Sequence, residues 1–440
     1  MEDIIQYILR FFIGEHLSYG TSRIADDASD ISSFVGYTSD ASTYPKYKVV
    51  VVPSGFFSEG IYGTDRSAPA IPLKNIEDIP FLFGSPEIER VGDTFVVHAD
   101  LVASAYFLIS RYEEILYKDK RDEHGRFPGR ESLLCRTGFI DRPVVDEYGK
   151  LIRKLLGQCG IETKESTPFI RKVNLTHDVD SPFYCRTWRN VARIVLSGQN
   201  PVNAIRDKNK PVEQDVYYTF PWILEQNRIL QNRIGRDSCE SFMFFRAGGN
   251  TVQDKPHYDL RGKDMLSLFE LCRKNGVTIG LHSSYQAGVE PSLILSEKKN
   301  LEDACGTEVT QNRHHFLASR EPEDMEYIEK AGFTDDYTIG YADVAGFRLG
   351  TSSPVQYINP ATRRLSSLTL HPLTIMDSTL DEQRYMKLSA EEAEEYCQRL
   401  INNVRNVNGE LTLLWHNTSA VAGCSYLREL YAKIILSIDS

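Results

Sequence analysis

The sequence predicts an α/β protein of two units: a small α/β unit over residues 1–165 and a larger parallel-sheet unit over residues 166–440. Three observations predict this. Beyond about residue 171, short apolar strands alternate with amphipathic helices, and alternating βα units imply a parallel sheet. Three of those strands run straight into ionisable residues: Asp178 with Asp180, then His282, then His416. A polar, proline-ended tract, Glu162-Thr163-Lys164-Glu165-Ser166-Thr167-Pro168, separates the two stretches.

In the first unit, Tyr47 to Val52 is short and β-branched, the mark of a buried strand, and Pro53-Ser54-Gly55 breaks it. Phe95-Val96-Val97 reads as a second strand. Asp100 to Glu114 reads as one helix, with Leu101, Ala105, Leu108, Ile109 and Tyr112 on its apolar face. Asp122 to Arg126 reads as a solvated loop. In the second unit, Val173 to Thr176 is a strand leading into His177-Asp178-Val179-Asp180. Lys263 to Lys274 reads as a helix, with Gly276 as its terminator. The strand Val277 to Leu281 follows and ends on His282. Ser389 and Glu392 form a capping box for a helix reaching about Val404. The strand Leu411 to Trp415 then ends on His416. In parallel barrels the active site lies at the C-terminal strand ends.

Composition narrows the function. The 440 residues carry 50 Lys and Arg against 61 Asp and Glu, a net charge of −11, with no long basic stripe. Phosphate binding needs clustered cations, so nucleic acid is not expected as a partner. No apolar run approaches the roughly 18 residues of a membrane span. Eight scattered cysteines lack any Cys-x-x-Cys pair, which argues against a structural zinc site and suits free thiols. Met1-Glu2-Asp3 lacks the basic start of a secretory signal, and the chain reads as cytoplasmic.

The strand ends carry the chemistry. In an extended chain Asp178 and Asp180 point the same way. Two carboxylates this close repel unless a cation intervenes. With a divalent metal, one ligates and the other stays free as a base; without one, the pair is a polar turn capping the next helix. His282 and Arg313-His314-His315-Phe316 are either polar loop starts or further site residues. Asp, His and His together are a mixed oxygen and nitrogen set that suits zinc, with cobalt or nickel as alternatives. His416, after a buried strand, is placed to protonate a leaving group or to satisfy a backbone carbonyl.

These motifs, in this order, resemble those of the polysaccharide deacetylase (NodB-like, carbohydrate esterase) superfamily. His177-Asp178-Val179-Asp180 resembles the first motif, which implies Asp178 as base and Asp180 as metal ligand. His282-Ser283-Ser284 resembles the second, with His282 binding metal. Arg313 resembles the arginine that orients the base, and Leu411 to His416 resembles the last motif, with His416 as general acid. The resemblance covers residues 171–440 and implies a distorted (β/α)7 barrel that removes acetyl groups from a carbohydrate. The second motif usually has two histidines four apart, and here the later position is Gln286. His315 is the expected replacement ligand, with His314 as the alternative. The backbone N–H of Tyr285 is expected to face the oxyanion, and Asp377 is read as a turn cap in preference to an orienter of His416. The aromatic residues Tyr285, Phe316, Tyr337 and Trp415 suit either a stacked sugar or core packing; Tyr285, in a loop, and Trp415 are the ones assigned to substrate. Arg348, within Gly346-Phe347-Arg348-Leu349-Gly350, is grouped with them. Residues 1–160 resemble an N-terminal domain of unknown role found with this subgroup. Two other readings stand beside this one: an inactive barrel that binds a glycan or a protein, and an amidase on a non-sugar C–N bond. Oligomeric state is left open.

Overall fold

A computed structural model describes residues 1–14, 34–161 and 167–438. Most of the polar tract expected to divide the units, residues 162–166, lies outside the described residues. The first unit opens with the helix Glu2–Ile13, whose Ile4, Ile8, Leu9, Phe11 and Phe12 are buried. Its strands are β1 (Val35–Tyr37), β2 (Val49–Val51), β3 (Lys74–Ile76), β4 (Ile79–Phe81), β5 (Gly84–Val91) and β6 (Thr94–Ala99). They form a sheet of order β1-β2-β6-β5 and a separate β3-β4 hairpin. The helix expected over 100–114 is two, Leu101–Ile109 and Tyr112–Leu116. Arg111 between them has φ of 60°, a left-handed conformation that ends the first helix. Asp100 caps the first helix by accepting from the Ala103 N–H at 2.9 Å.

The second unit contributes β7 (Lys172–Val179), β8 (Cys239–Phe245), β9 (Thr278–Ser283), β10 (Gln311–His314), β11 (Asp335–Asp336), β12 (Val355–Asn359), β13 (Arg364–Leu370), β14 (Ile375–Met376) and β15 (Glu410–Leu414). They make one nine-stranded sheet of order β12-β13-β11-β10-β9-β8-β7-β15-β14, parallel except for the antiparallel pair β12-β13. The sheet is a curled half-barrel where a seven-stranded barrel was expected. Its short strands β11 and β14 are followed by irregular backbone, which bridges the open side through Leu373 N–H to Ile339 O (2.9 Å) and Gly346 N–H to Thr374 O (3.1 Å). Helices pack on the outside. Lys263–Asn275 ends at Gly276 (φ 68°), and Ala390–Asn406 begins with the Ser389–Glu392 capping box. No described helix is long and apolar enough to cross a membrane. All eight cysteines are free.

The two units share one apolar core, which runs from Ile4 and Phe12 through Tyr148 to Val355 and Leu370. Polar contacts also cross between them. The buried Glu114 accepts from Arg111 (2.6 Å) within its own unit and from Arg348 (2.8 Å) in the other. Arg348 also donates to Gly340 O at 2.8 Å. Arg348 is therefore a structural bridge, which corrects its assignment to substrate binding. A carboxylate held between two guanidinium groups is stable only as a set, since each charge has lost its water. Glu114→Ala leaves both arginines unpaired and is expected to cost about 3 kcal/mol in denaturant unfolding; a loss near zero would show the bridge to be dispensable.

Candidate metal centre and acid–base site

The curl of the sheet creates the site. β10 and β15 are four strand spacings apart, about 19 Å in a flat sheet. Yet His315, directly after β10, and His416, soon after β15, both lie within 4 Å of Asp180. Asp178 on β7 is 2% exposed, and alternation along the chain turns Asp180 to the same side. His177, just before Asp178, faces the other way. Its Nδ1 meets Trp415 O at 3.0 Å, and its Nε2 meets the Asn227 amide at 3.0 Å. Burial holds its pKa down at about 4, so it is a neutral structural histidine.

Asp180, His282 and His315 offer ligand atoms that all lie within 4.8 Å of one another. Asp180 Oδ1 is 3.2 Å from His282 Nε2 and 3.3 Å from His315 Nε2. Ligands about 2.1 Å from a tetrahedral zinc stand about 3.4 Å apart, so these separations are those of a coordination sphere. The protonation states agree. His282 Nδ1 lies 3.0 Å from the Arg313 carbonyl, which can only accept, so Nδ1 donates there and leaves Nε2 facing Asp180 for a cation. His315 Nδ1 faces Asp254 Oδ1 at 3.5 Å, which orders its ring the same way. Asp180 Oδ1 and His282 Nε2 are both buried without a hydrogen-bond partner. Two such atoms facing one another need a proton or a cation between them. Without a cation, the Asp180 carboxyl is pushed up by burial but held well below its ordinary value by His315 and His282. Burial pushes His315 down, but Asp180 and Asp254 together outweigh it and raise its pKa. The donor set thus fits a divalent metal with three protein ligands and an open position.

Gln286, at the position of the missing second-motif histidine, and the alternative ligand His314 lie elsewhere. Gln286 turns its side chain to the Asn250 N–H (2.9 Å) and Glu290 (3.4 Å). His314 is buried outside the triad, where burial lowers its pKa to about 3.

Two charged pairs flank the triad. Asp178 Oδ1 accepts from Arg313 Nη1 at 3.2 Å, and Asp178 Oδ2 stands 3.5 Å from His282 Nε2. Arg313 is fully buried, also donates to Tyr337 O at 3.1 Å, and lies over the Phe244 ring. On the opposite side, His416 Nδ1 meets Asp377 Oδ1 at 2.8 Å, while Asp377 Oδ2 accepts the His416 backbone N–H at 2.7 Å. Asp377 is thus the orienter of His416, which corrects its reading as a turn cap. Burial lowers the pKa of His416, but Asp377 and then Asp180 and Asp178 outweigh it and raise the value to about 10. His416 Nε2 lies 3.7 Å from Asp180 Oδ2.

The cavity above these groups holds about 110 Å³. Its walls include Arg126, Phe316, Arg384 and Tyr385, and an apolar patch of Leu317, Ala342, Met376 and Leu414. Several expectations are revised here. Trp415 is fully buried and packs on Tyr431 at 5.1 Å, because neighbours on an extended chain face opposite ways and His416 takes the cavity side. The Tyr285 N–H donates to Asp254 Oδ1 at 2.7 Å and is unavailable to an oxyanion. Tyr337 is a core residue stacked on His371. The Tyr285 ring stays half-buried beside Phe316, 5.5 Å away, at the edge of the site. The loop expected to be solvated instead sends Arg126 into the cavity wall, 6% exposed. Asp254 escaped sequence reading altogether, and Arg126 was read only as part of that loop. The only local signal was the pairing of Asp122 with Arg126 four residues on.

Comparison with known proteins adds little beyond this geometry. A family model described as a family of unknown function (DUF7033) matches residues 2–160. No curated protein matches the chain. Among solved structures, a protein from Mycobacterium smegmatis described among the polysaccharide deacetylases is 13% identical with a TM-score of 0.37, over 63% of this chain and 86% of that one. A polysaccharide deacetylase from Bacillus cereus is 10% identical with a TM-score of 0.30, over 61% and 91%. Overlaps this low leave the chemistry to be argued from the site itself.

Proposed function

We propose that the protein is a metal-dependent hydrolase that removes acetyl groups, by amide and secondarily by ester cleavage, from a carbohydrate. One observation carries the reading: Asp180 Oδ1 converges with His282 Nε2 at 3.2 Å and His315 Nε2 at 3.3 Å, beside a second carboxylate that is not needed as a ligand. Asp180, His282 and His315 would hold a divalent cation, zinc by preference given the nitrogen and oxygen donors. Such a cation, when bound, polarises an acyl oxygen and lowers the pKa of a nearby water.

The chain's own residues supply the rest. Asp178 takes the proton of the attacking water, and Arg313 holds its carboxylate aimed. Water oxygen bonds to the acyl carbon as the C–N bond breaks. The departing nitrogen takes its proton from His416, which Asp377 keeps charged and oriented. The products are acetate and an amine. The apolar patch of Leu317, Ala342, Met376 and Leu414 suits the acyl methyl group, and the small cavity admits only the reacting end of a larger substrate.

Two measurements test this. Acetate release from a panel of acetylated saccharides, compared with small non-sugar amides, is expected to favour the saccharides; turnover of the small amides alone would overturn the substrate class. Adding zinc or cobalt to metal-free protein should raise its unfolding free energy, by about 2.7 kcal/mol at a free metal concentration of a hundred times Kd, and its unfolding midpoint with it. Asp180→Asn and His282→Ala should abolish that shift. A shift preserved in both variants would place the metal elsewhere.

A further inference from the structure

The turn that carries His315 is held by the other unit. Phe316 and Leu317 adopt φ of 61° and 52°, left-handed conformations that bulky residues rarely adopt and that persist only where surroundings impose them. The surroundings come from the N-terminal unit. Arg126 Nη1 donates to the Phe316 carbonyl at 2.7 Å. Asp122 holds the same guanidinium through Nε at 2.8 Å, and Nη2 reaches the Tyr385 hydroxyl at 3.3 Å. Three residues along, Arg111 donates to Ser319 Oγ at 2.9 Å and to Ser319 O at 3.1 Å. Arg320 returns a bond to the His124 carbonyl at 3.0 Å. Arg111, Asp122, His124 and Arg126 all lie within residues 2–160, the stretch whose family has no assigned role.

We infer that this N-terminal unit is a working part of the metal centre: Arg126 is a positioning residue that, through the Phe316 carbonyl, sets the His315 imidazole on its ligand. The inference rests on the metal reading above. It explains how the site does without a second-motif histidine at Gln286. The substitute ligand sits on a turn, and a turn holds a ligand to the required tolerance of about 0.2 Å only when its backbone is fixed. A planar guanidinium grips a carboxylate and a carbonyl in one fixed relative orientation, which a freely rotating ammonium does not impose.

The test is cobalt titration of the full chain, read by affinity and by the visible absorption of bound cobalt. Arg126→Ala is expected to weaken cobalt binding about tenfold or more and to change the spectrum. Arg126→Lys should recover part of the loss, because the ammonium can still reach the carbonyl. Asp122→Asn keeps the guanidinium but loosens its grip, and should fall between wild type and Arg126→Ala with little change in metal-free melting. If Arg126→Ala does not fold, Asp122→Asn decides. Wild-type affinity and spectrum in the deciding variant would overturn the clamp while leaving the metal site standing. A wild-type chain that takes up no cobalt would remove both.

Discussion

Asp178→Asn is expected to lower acyl hydrolysis by about 10³-fold, the range set by general-base catalysis, with metal content unchanged. Asparagine keeps an oxygen to accept from Arg313 Nη1 but cannot take a proton from water. The choice of substitution matters because Arg313 is fully buried. Alanine there would strand its charge and destabilise the fold, confounding the rate with unfolding. Turnover and metal content measured on the same preparation separate the two carboxylates: Asp178→Asn should be loaded and inert, Asp180→Asn empty. Full hydrolytic rate in Asp178→Asn would refute its role as base.

The second large effect is expected at the acid. His416→Ala should slow amide cleavage by about 10³-fold and cleavage of an activated ester far less, because a good leaving group departs without a proton. Equal losses on both substrates would exclude the acid role. The Asp377 pairing adds a pH dependence. The pKa of His416 is raised from 6.5 to about 10, so the pair's contribution to stability is fully present below about pH 6.5 and is lost as pH rises through about 10. The acid likewise works only while protonated. A cation on Asp180 would lower this value, but removing the Asp377 charge should lower it further. Asp377→Asn is therefore expected to move the alkaline limb of kcat/KM to lower pH, and its stability deficit against wild type should shrink between pH 6.5 and 10. An unmoved limb would mean that another group titrates there.

Much of the site is local in origin, and that part is legible. Asp178 and Asp180 share a side because successive residues of an extended chain alternate. The same rule, applied to Trp415 and His416, already forbids both from facing the cavity, so the misplacement of Trp415 was avoidable. Capping signals were equally local: Ser389 with Glu392, and Gly276, act where their spacing indicates. The break at Arg111 was not legible, since the apolar spacing over 100–114 continues through a residue that leaves the helix.

The sequence alone determined which side chains stand at which strand ends and which way each points, because those follow from covalent alternation and helical period. Only the tertiary structure decided which of them meet. Curling the sheet brings β10 and β15 to one Asp180, and loops with no periodicity deliver Asp254 to His315, Asp377 to His416 and Arg126 to Phe316. Such contacts depend on how far a sheet bends and on which loops pack above it. Both are set by the packing of the whole core, and no window of neighbouring residues encodes them.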